Sequence, residues 1–133
     1  MAQKILLVED DPINIKFMSV CLQKKGGYEV LVSEDVEEIL RLAKETENLI
    51  GIIMDVSLSR SHHNGQKVDG VYITKLLKQD PATAKTPILL ATAHAMFGDK
   101  EKFMAETGAE GYLSKPVHDP TAFIDAIHEA FGK

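Results

Sequence analysis

The stretch that decides the fold is Ile50-Gly51-Ile52-Ile53-Met54-Asp55. A short apolar run of this kind fits a strand covered on both faces, as in a parallel sheet flanked by helices. The run ends abruptly in a carboxylate, which puts Asp55 at the carboxyl end of the strand. In open α/β sheets ligands bind at that edge, so a charged side chain there is better placed for chemistry than for packing. An aspartate at a strand end is also a common turn residue or helix N-cap. The ends of the other strands decide between the two readings.

On either side of this stretch, short apolar runs alternate with segments of helical periodicity. Ile5 to Val8 reads as a first strand running into Glu9-Asp10-Asp11. Pro12 suits the first turn of a helix on which Ile13, Phe17, Val20 and Cys21 recur at helical spacing until Gly26-Gly27 stops it. Tyr28 to Val32 is the second strand. Val36, Ile39, Leu40 and Ala43 mark the next helix, with Glu34, Asp35, Glu37 and Glu38 near its start, where the helix dipole favours acids. Beyond the central strand, Asp69 caps a helix carrying Ile73, Leu76 and Leu77, which Asp80-Pro81 terminates. Pro87 opens a fourth strand, Ile88 to Ala91, ending in Thr92, and a helix follows over about Gly98 to Glu106. Glu110 to Leu113 is a short fifth strand leading to Ser114-Lys115-Pro116, and Asp119-Pro120 begins a last helix with Phe123, Ile124, Ile127 and Phe131 on one side. Five strands alternating with five helices predict an α/β fold, a doubly wound five-stranded parallel sheet of flavodoxin-like strand order. Residues 1–133 are expected to form a single domain with no output domain.

Composition narrows the function classes. At 133 residues, with 44% apolar and 26% charged side chains, the chain has ordinary globular composition, which argues against disorder. A net charge of −5 argues against nucleic acid as a direct partner, since phosphate backbones are held by clustered Lys and Arg. Cys21 is the only cysteine, so neither an intrachain disulfide nor a cysteine-based metal site is expected. No stretch approaches the roughly 20 apolar residues a membrane span needs, and Ile5 to Val8 is too short for the core of a signal peptide. The expectation is a soluble, cytoplasmic protein without membrane insertion.

One segment departs from this economy. Val56 to Val68, thirteen residues, separates Asp55 from the helix near Asp69, whereas such connections usually run about 2 to 6. It is rich in Ser57, Ser59, Arg60, Ser61, His62, His63, Asn64, Gly65, Gln66 and Lys67 and reads as a flexible, solvated insertion beside the active edge. The His62-His63 pair lacks the nearby Cys or spaced acids that would make it a metal site.

The strand ends now answer the question raised by Asp55. The first strand delivers Glu9 and Asp10, the third Asp55, the fourth Thr92, and the fifth leads to Lys115. Asp11, directly before Pro12, is read as the cap of the first helix, which leaves Glu9 and Asp10 for the cleft. The first, third and fourth strands are neighbours at the topological switch point, so three carboxylates converge there. Their repulsion is costly unless a cation sits among them. Hard oxygen ligands of this type suit Mg²⁺, and the Thr92 hydroxyl and Lys115 ammonium would hold phosphate oxygens. The constellation reads as Mg²⁺-dependent phosphoryl transfer onto an aspartate.

Ile5-Leu6-Leu7-Val8-Glu9-Asp10-Asp11, Ile53-Met54-Asp55, Ala91-Thr92-Ala93 and Gly111-Tyr112-Leu113-Ser114-Lys115-Pro116 together resemble the receiver domain of bacterial two-component response regulators, most of all its single-domain, CheY-like or DivK-like members. The resemblance implies that Asp55 is the phosphoacceptor and that Glu9, Asp10, Asp55 and the Ser57 main-chain carbonyl serve Mg²⁺. It also implies that Thr92 is the switch hydroxyl, Tyr112 the switch aromatic and Lys115 the phosphate-contacting lysine, aimed by a cis bond to Pro116. Ser57 and His94 fall at positions that influence phosphoryl lifetime in this family. The implied partners are a histidine kinase or histidine phosphotransfer protein upstream and a protein target downstream. Such a protein is a phosphoacceptor that assists its own phosphorylation and dephosphorylation rather than an enzyme acting on a separate substrate. The insertion after Asp55 breaks the family pattern, although Asp69-Gly70 matches the end of that loop.

Two other classes share parts of this pattern. A flavodoxin-type cofactor binder has the same architecture, but Glu9-Asp10-Asp11 would repel the anion its first loop must hold. A haloacid-dehalogenase-type phosphatase also clusters acids, yet its Asp-x-Asp-x-Thr pattern is missing from the sequence.

Overall fold

The computed structural model describes residues 2–58, 61–93, 98–115 and 119–132. Seven strands and five helices follow in chain order. β1 (Lys4–Val8) and α1 (Pro12–Val20) are followed by one π-helical turn over Cys21–Lys25, then β2 (Glu29–Ser33), α2 (Val36–Glu45) and β3 (Leu49–Asp55). Two short arms come next, β4 (His62–His63) and β5 (Gln66–Lys67), before α3 (Gly70–Gln79), β6 (Ile88–Thr92), α4 (Asp99–Thr107), β7 (Gly111–Ser114) and α5 (Pro120–Phe131). The main sheet has the order β2-β1-β3-β6-β7 and every pairing in it is parallel. This is the doubly wound five-stranded arrangement the sequence predicts, with β6 and β7 as its fourth and fifth strands.

Strand alternation sorts the core into two layers. Leu6, Val8, Ile52, Met54, Ile88 and Leu90 pack under Val36, Ile39 and Ala43 of α2, Ile73 and Leu77 of α3, and Phe103 and Met104 of α4. Ile5, Leu7, Ile53, Leu89 and Ala91 pack on the other face against Met18, Cys21 and Leu22 and against Phe123, Ile124, Ile127 and Phe131 of α5. Because both faces are covered, the strands read as continuous apolar runs. Gly51 interrupts its run for a packing reason: the Phe131 ring lies over it, and a Cβ there would stand 2.5 Å from ring carbons.

Four helices start on an aspartate cap. Asp11, Asp35, Asp69 and Asp119 accept from the amides of Ile13, Glu38, Tyr72, and Thr121 with Ala122. Each such cap contributes about 1 kcal/mol. Asp11 thus has the capping role the sequence assigns it, which leaves Glu9 and Asp10 to the cleft.

Two expectations need correction. On α1 and the π-helical turn that continues it the buried side chains are Met18, Cys21 and Leu22, while Ile13 is 79% and Val20 41% exposed. The helix is turned roughly a quarter-turn from the predicted stripe, and only Cys21 belongs to both. Ile13, Phe17 and Val20 instead line an apolar groove with Pro120. The insertion after Asp55 is also more structured than its polar composition suggests. His62–His63 pairs antiparallel with Gln66–Lys67 around Asn64 and Gly65, both at positive φ. Asn-Gly between paired residues is the strongest short-range hairpin signal, because its backbone suits the tight turn that joins twisted strands. Among the described residues no helix is long and apolar enough to cross a membrane.

Candidate functional site

The site assembles where β1, β3, β6 and β7 end on one edge of the sheet. Parallel register brings Val8 level with Met54, Asp55 level with Ala91, and Thr92 level with Ser114. Glu9 and Asp10 therefore follow directly on a strand that neighbours the one ending in Asp55. Ligand oxygens of Glu9, Asp10 and Asp55 all lie within 4.8 Å of one another. Lys115 reaches in from the end of β7, its ammonium 3.0 Å from Glu9 Oε1 and 3.1 Å from Asp55 Oδ1. The Lys115, Glu9 and Asp55 side chains are 6%, 1% and 3% exposed. The Lys115 amide donates to the Thr92 carbonyl at 2.7 Å, which ties the lysine to the end of β6.

Main-chain donors complete the cradle. The Ser57 amide donates to Asp55 Oδ1 at 3.0 Å, and the Asp11 amide to Glu9 Oε2 at 3.2 Å. Burial, followed by the charge of Asp55, pushes the Glu9 carboxyl above its ordinary range, and Lys115 only partly offsets this. For Lys115, burial pulls the ammonium down. Its hydrogen bond to Glu9 and the Asp55 and Glu9 charges outweigh that effect, so its pKa is raised and it stays charged. Lys115 thus pairs with Glu9 and Asp55 together.

The donor set fits a small hard dication. Carboxylate oxygens suit Mg²⁺, whose oxygen ligands stand about 2.0–2.1 Å from the metal, and a second cation would offset the burial and the Asp55 charge that together raise Glu9. Among the described residues this is the group of acids able to hold a metal ion; His62 and His63 are not part of it.

Thr92 is buried at the end of β6, one residue past the register partner of Asp55. Tyr112 lies two residues before the end of β7, level with Leu90. Its ring stacks on Phe103 of α4 at 6.3 Å, and its hydroxyl is buried with no hydrogen-bond partner among the described residues. Thr92 and Tyr112 share a sheet face, being even steps from the paired residues Leu90 and Ser114. His94 and the Lys115-Pro116 peptide geometry lie outside the described residues.

Gly70 is a site-shaping residue that the sequence pointed to only as a loop match. It opens α3 with its amide on the Val56 carbonyl at 3.1 Å. A Cβ there would run into the Asp55 carbonyl oxygen, which as backbone cannot swing aside.

Comparison with known proteins bears directly on this geometry. The model of the response regulator receiver domain matches residues 5–128. The chain belongs to the response regulator receiver domain family. Among curated relatives, the polar-differentiation response regulator DivK of Brucella ovis is 33% identical over 132 residues, 99% of this chain and 98% of that protein. A receiver domain of a sensor histidine kinase from Pseudomonas aeruginosa, solved with magnesium coordinated in its active-site cleft, superposes at TM-score 0.80 with 28% identity over 100% of both chains. Chemotaxis protein CheY4 of Vibrio cholerae gives TM-score 0.80 with 26% identity, over 98% of this chain and 99% of that one. The receiver is thus a two-component signalling protein with the CheY-like, flavodoxin-type fold.

Proposed function

We propose that this receiver accepts a phosphoryl group on Asp55 from a phosphohistidine, with Mg²⁺ held by Glu9, Asp10, Asp55 and the Ser57 carbonyl. The observation that carries the reading is the convergence of three carboxylates, Glu9 and Asp55 buried and Asp10 partly so, with one buried lysine at the ends of adjacent strands. Bound Mg²⁺ would supply charge neutralisation as two anions approach. The chain does the rest by positioning. Asp55, oriented by the Ser57 amide and Lys115, attacks phosphorus with a carboxylate oxygen. The new O–P bond forms as the P–N bond to the donor imidazole breaks and the electron pair leaves with that nitrogen. Lys115 and the Thr92 hydroxyl are suited to the three oxygens of the product, which carries close to two negative charges. In the same reading the site also assists the later hydrolysis.

The upstream partner would be a histidine kinase or histidine phosphotransfer protein. The exposed apolar groove around Ile13 and Pro120, beside the cleft, is the kind of surface that receives another protein. Downstream, inward movement of Thr92 and repacking of Tyr112 against α4 would remodel the β6–α4–β7 face for a protein target.

Intact-mass measurement with acetyl phosphate tests the assignment. Wild type gains one labile phosphoryl mass with Mg²⁺; the gain is absent with chelator and in Asp55→Asn. A stable phosphoprotein formed by Asp55→Asn would refute Asp55 as the acceptor.

A further inference from the structure

We propose that His63 is a positioning residue for the phosphoryl site, acting through the inserted hairpin; the inference rests on the reading of Asp55 and Ser57 given above. A connection of thirteen residues samples far more conformations than the usual short one. A metal ligand or amide donor on it is held only as well as the connection itself is held. Ser57, two residues past Asp55, lies on this connection, and its amide already bonds Asp55.

The hairpin supplies the missing restraint at two latches. Ser61 is buried, its hydroxyl donating to the Glu34 carbonyl at the entry to α2, and its own carbonyl accepts from the Val68 amide at 2.9 Å, which closes the neck of the hairpin. His63 is the second latch. Its Nδ1 is 2.7 Å from the Tyr72 hydroxyl and its Nε2 3.3 Å from the Glu37 carboxylate. The ring is 14% exposed although Glu37 is 77% exposed, and it tilts against the Tyr72 ring at 5.6 Å. One side chain thus joins the hairpin to α2 and to α3.

The link to the site runs through the first turn of α3. Tyr72 follows Gly70 by two residues, and its amide is held by the Asp69 cap at 3.0 Å. Gly70 packs on the Asp55 carbonyl and bonds the Val56 carbonyl. His63 thereby holds α3 down on the backbone of Asp55 and Val56, while Ser61 and the buried Leu58 fix the other end of the loop. Ser57 sits between these fixed points.

The test compares wild type, His63→Ala and His63→Gln, the last keeping polar groups for Tyr72 and Glu37. Three quantities are read: Mg²⁺ affinity by calorimetry, amide hydrogen exchange in Mg²⁺-free protein, and the thermal midpoint. In His63→Ala, Mg²⁺ affinity falls and Ser57 exchange rises by about fivefold each, the worth of one net hydrogen bond. Exchange in β1 and α5 is unchanged, and His63→Gln recovers most of both effects. Equal Mg²⁺ affinity and Ser57 exchange in His63→Ala and wild type would overturn the role of His63 alone. Acceleration of every amide alike would overturn it too, by showing mere destabilisation. Wild type that fails to bind Mg²⁺ would overturn the reading of the acidic cluster and this inference with it.

Discussion

Glu9 holds an unfavourable position in the metal-free protein. It is buried beside Asp55, and its carboxyl is pushed up first by burial and then by that charge, with Lys115 as a partial offset. A carboxyl whose folded pKa is raised favours the fold while protonated, and that advantage is lost as pH rises from the ordinary value of 4.5 through the folded value. At neutral pH the site therefore carries a cost that a bound dication removes. Mg²⁺ is predicted to raise the thermal midpoint, by the equivalent of about 2.7 kcal/mol at a hundred times the dissociation constant. The gain shrinks as pH falls and Glu9 takes up its proton, and Glu9→Gln reduces it at neutral pH. Thermal melts with Mg²⁺ and with chelator, at neutral and mildly acid pH, check the sign. A stabilisation that does not depend on pH would contradict the account.

At the scale of elements, the seating of α3 on β3 is the contact with least tolerance. Thr74 returns its hydroxyl to the Gly70 carbonyl at 2.7 Å, so the first turn of α3 is held from inside as well as by the Asp69 cap. Gly70 has an ordinary negative φ, so alanine there costs nothing in backbone conformation. The cost comes from the Asp55 carbonyl in its way. Gly70→Ala is predicted to destabilise the protein by about 1–3 kcal/mol, the usual cost of overpacking, and to slow phosphoryl uptake because the shift falls on Asp55. Urea unfolding and the intact-mass time course measure the two effects. A variant that unfolds like wild type yet takes up phosphate normally would mean that α3 lifts off without disturbing the site.

At the scale of the whole molecule, the phosphoryl charge proposed for Asp55 would have to reach a surface to act on a partner. Thr92 and Tyr112 lie on one sheet face, and Tyr112 is packed on α4 with its hydroxyl buried. Among the described residues the buried Tyr112 hydroxyl has no hydrogen-bond partner to hold it in place. Moving a two-state equilibrium from 1:99 to 99:1 needs about 5.5 kcal/mol, and partial switching needs less. Thr92→Ala is predicted to take up phosphate but to lose the phosphorylation-dependent change in amide exchange over α4 and β7. Exchange measured on both proteins, with and without acetyl phosphate, distinguishes the outcomes. Persistence of the change in Thr92→Ala would place the coupling elsewhere.

The sequence by itself determined the architecture and the composition of the cleft. Short apolar runs bounded by turn residues and alternating with helical segments fit strands covered on both faces, and acids or hydroxyls at their ends meet at one edge because parallel strands all point the same way. Ile5 to Val8 with Glu9-Asp10, and Ile50 to Met54 with Asp55, carried that information locally. What only the tertiary structure decided depends on contacts between distant segments. The buried side of α1 was misread because Ile13, Phe17 and Val20 form a regular stripe of their own, and whether a stripe is buried depends on what packs against it. The hairpin at Asn64–Gly65 is latched by Glu34 just before α2, Glu37 on α2 and Tyr72 on α3. Gly70 matches the end of the family's loop in sequence, but its close approach to the Asp55 carbonyl comes from the packing of α3 on β3. Periodicity records how a segment can bury itself, whereas the close approach of two backbones is a property of the assembled fold alone.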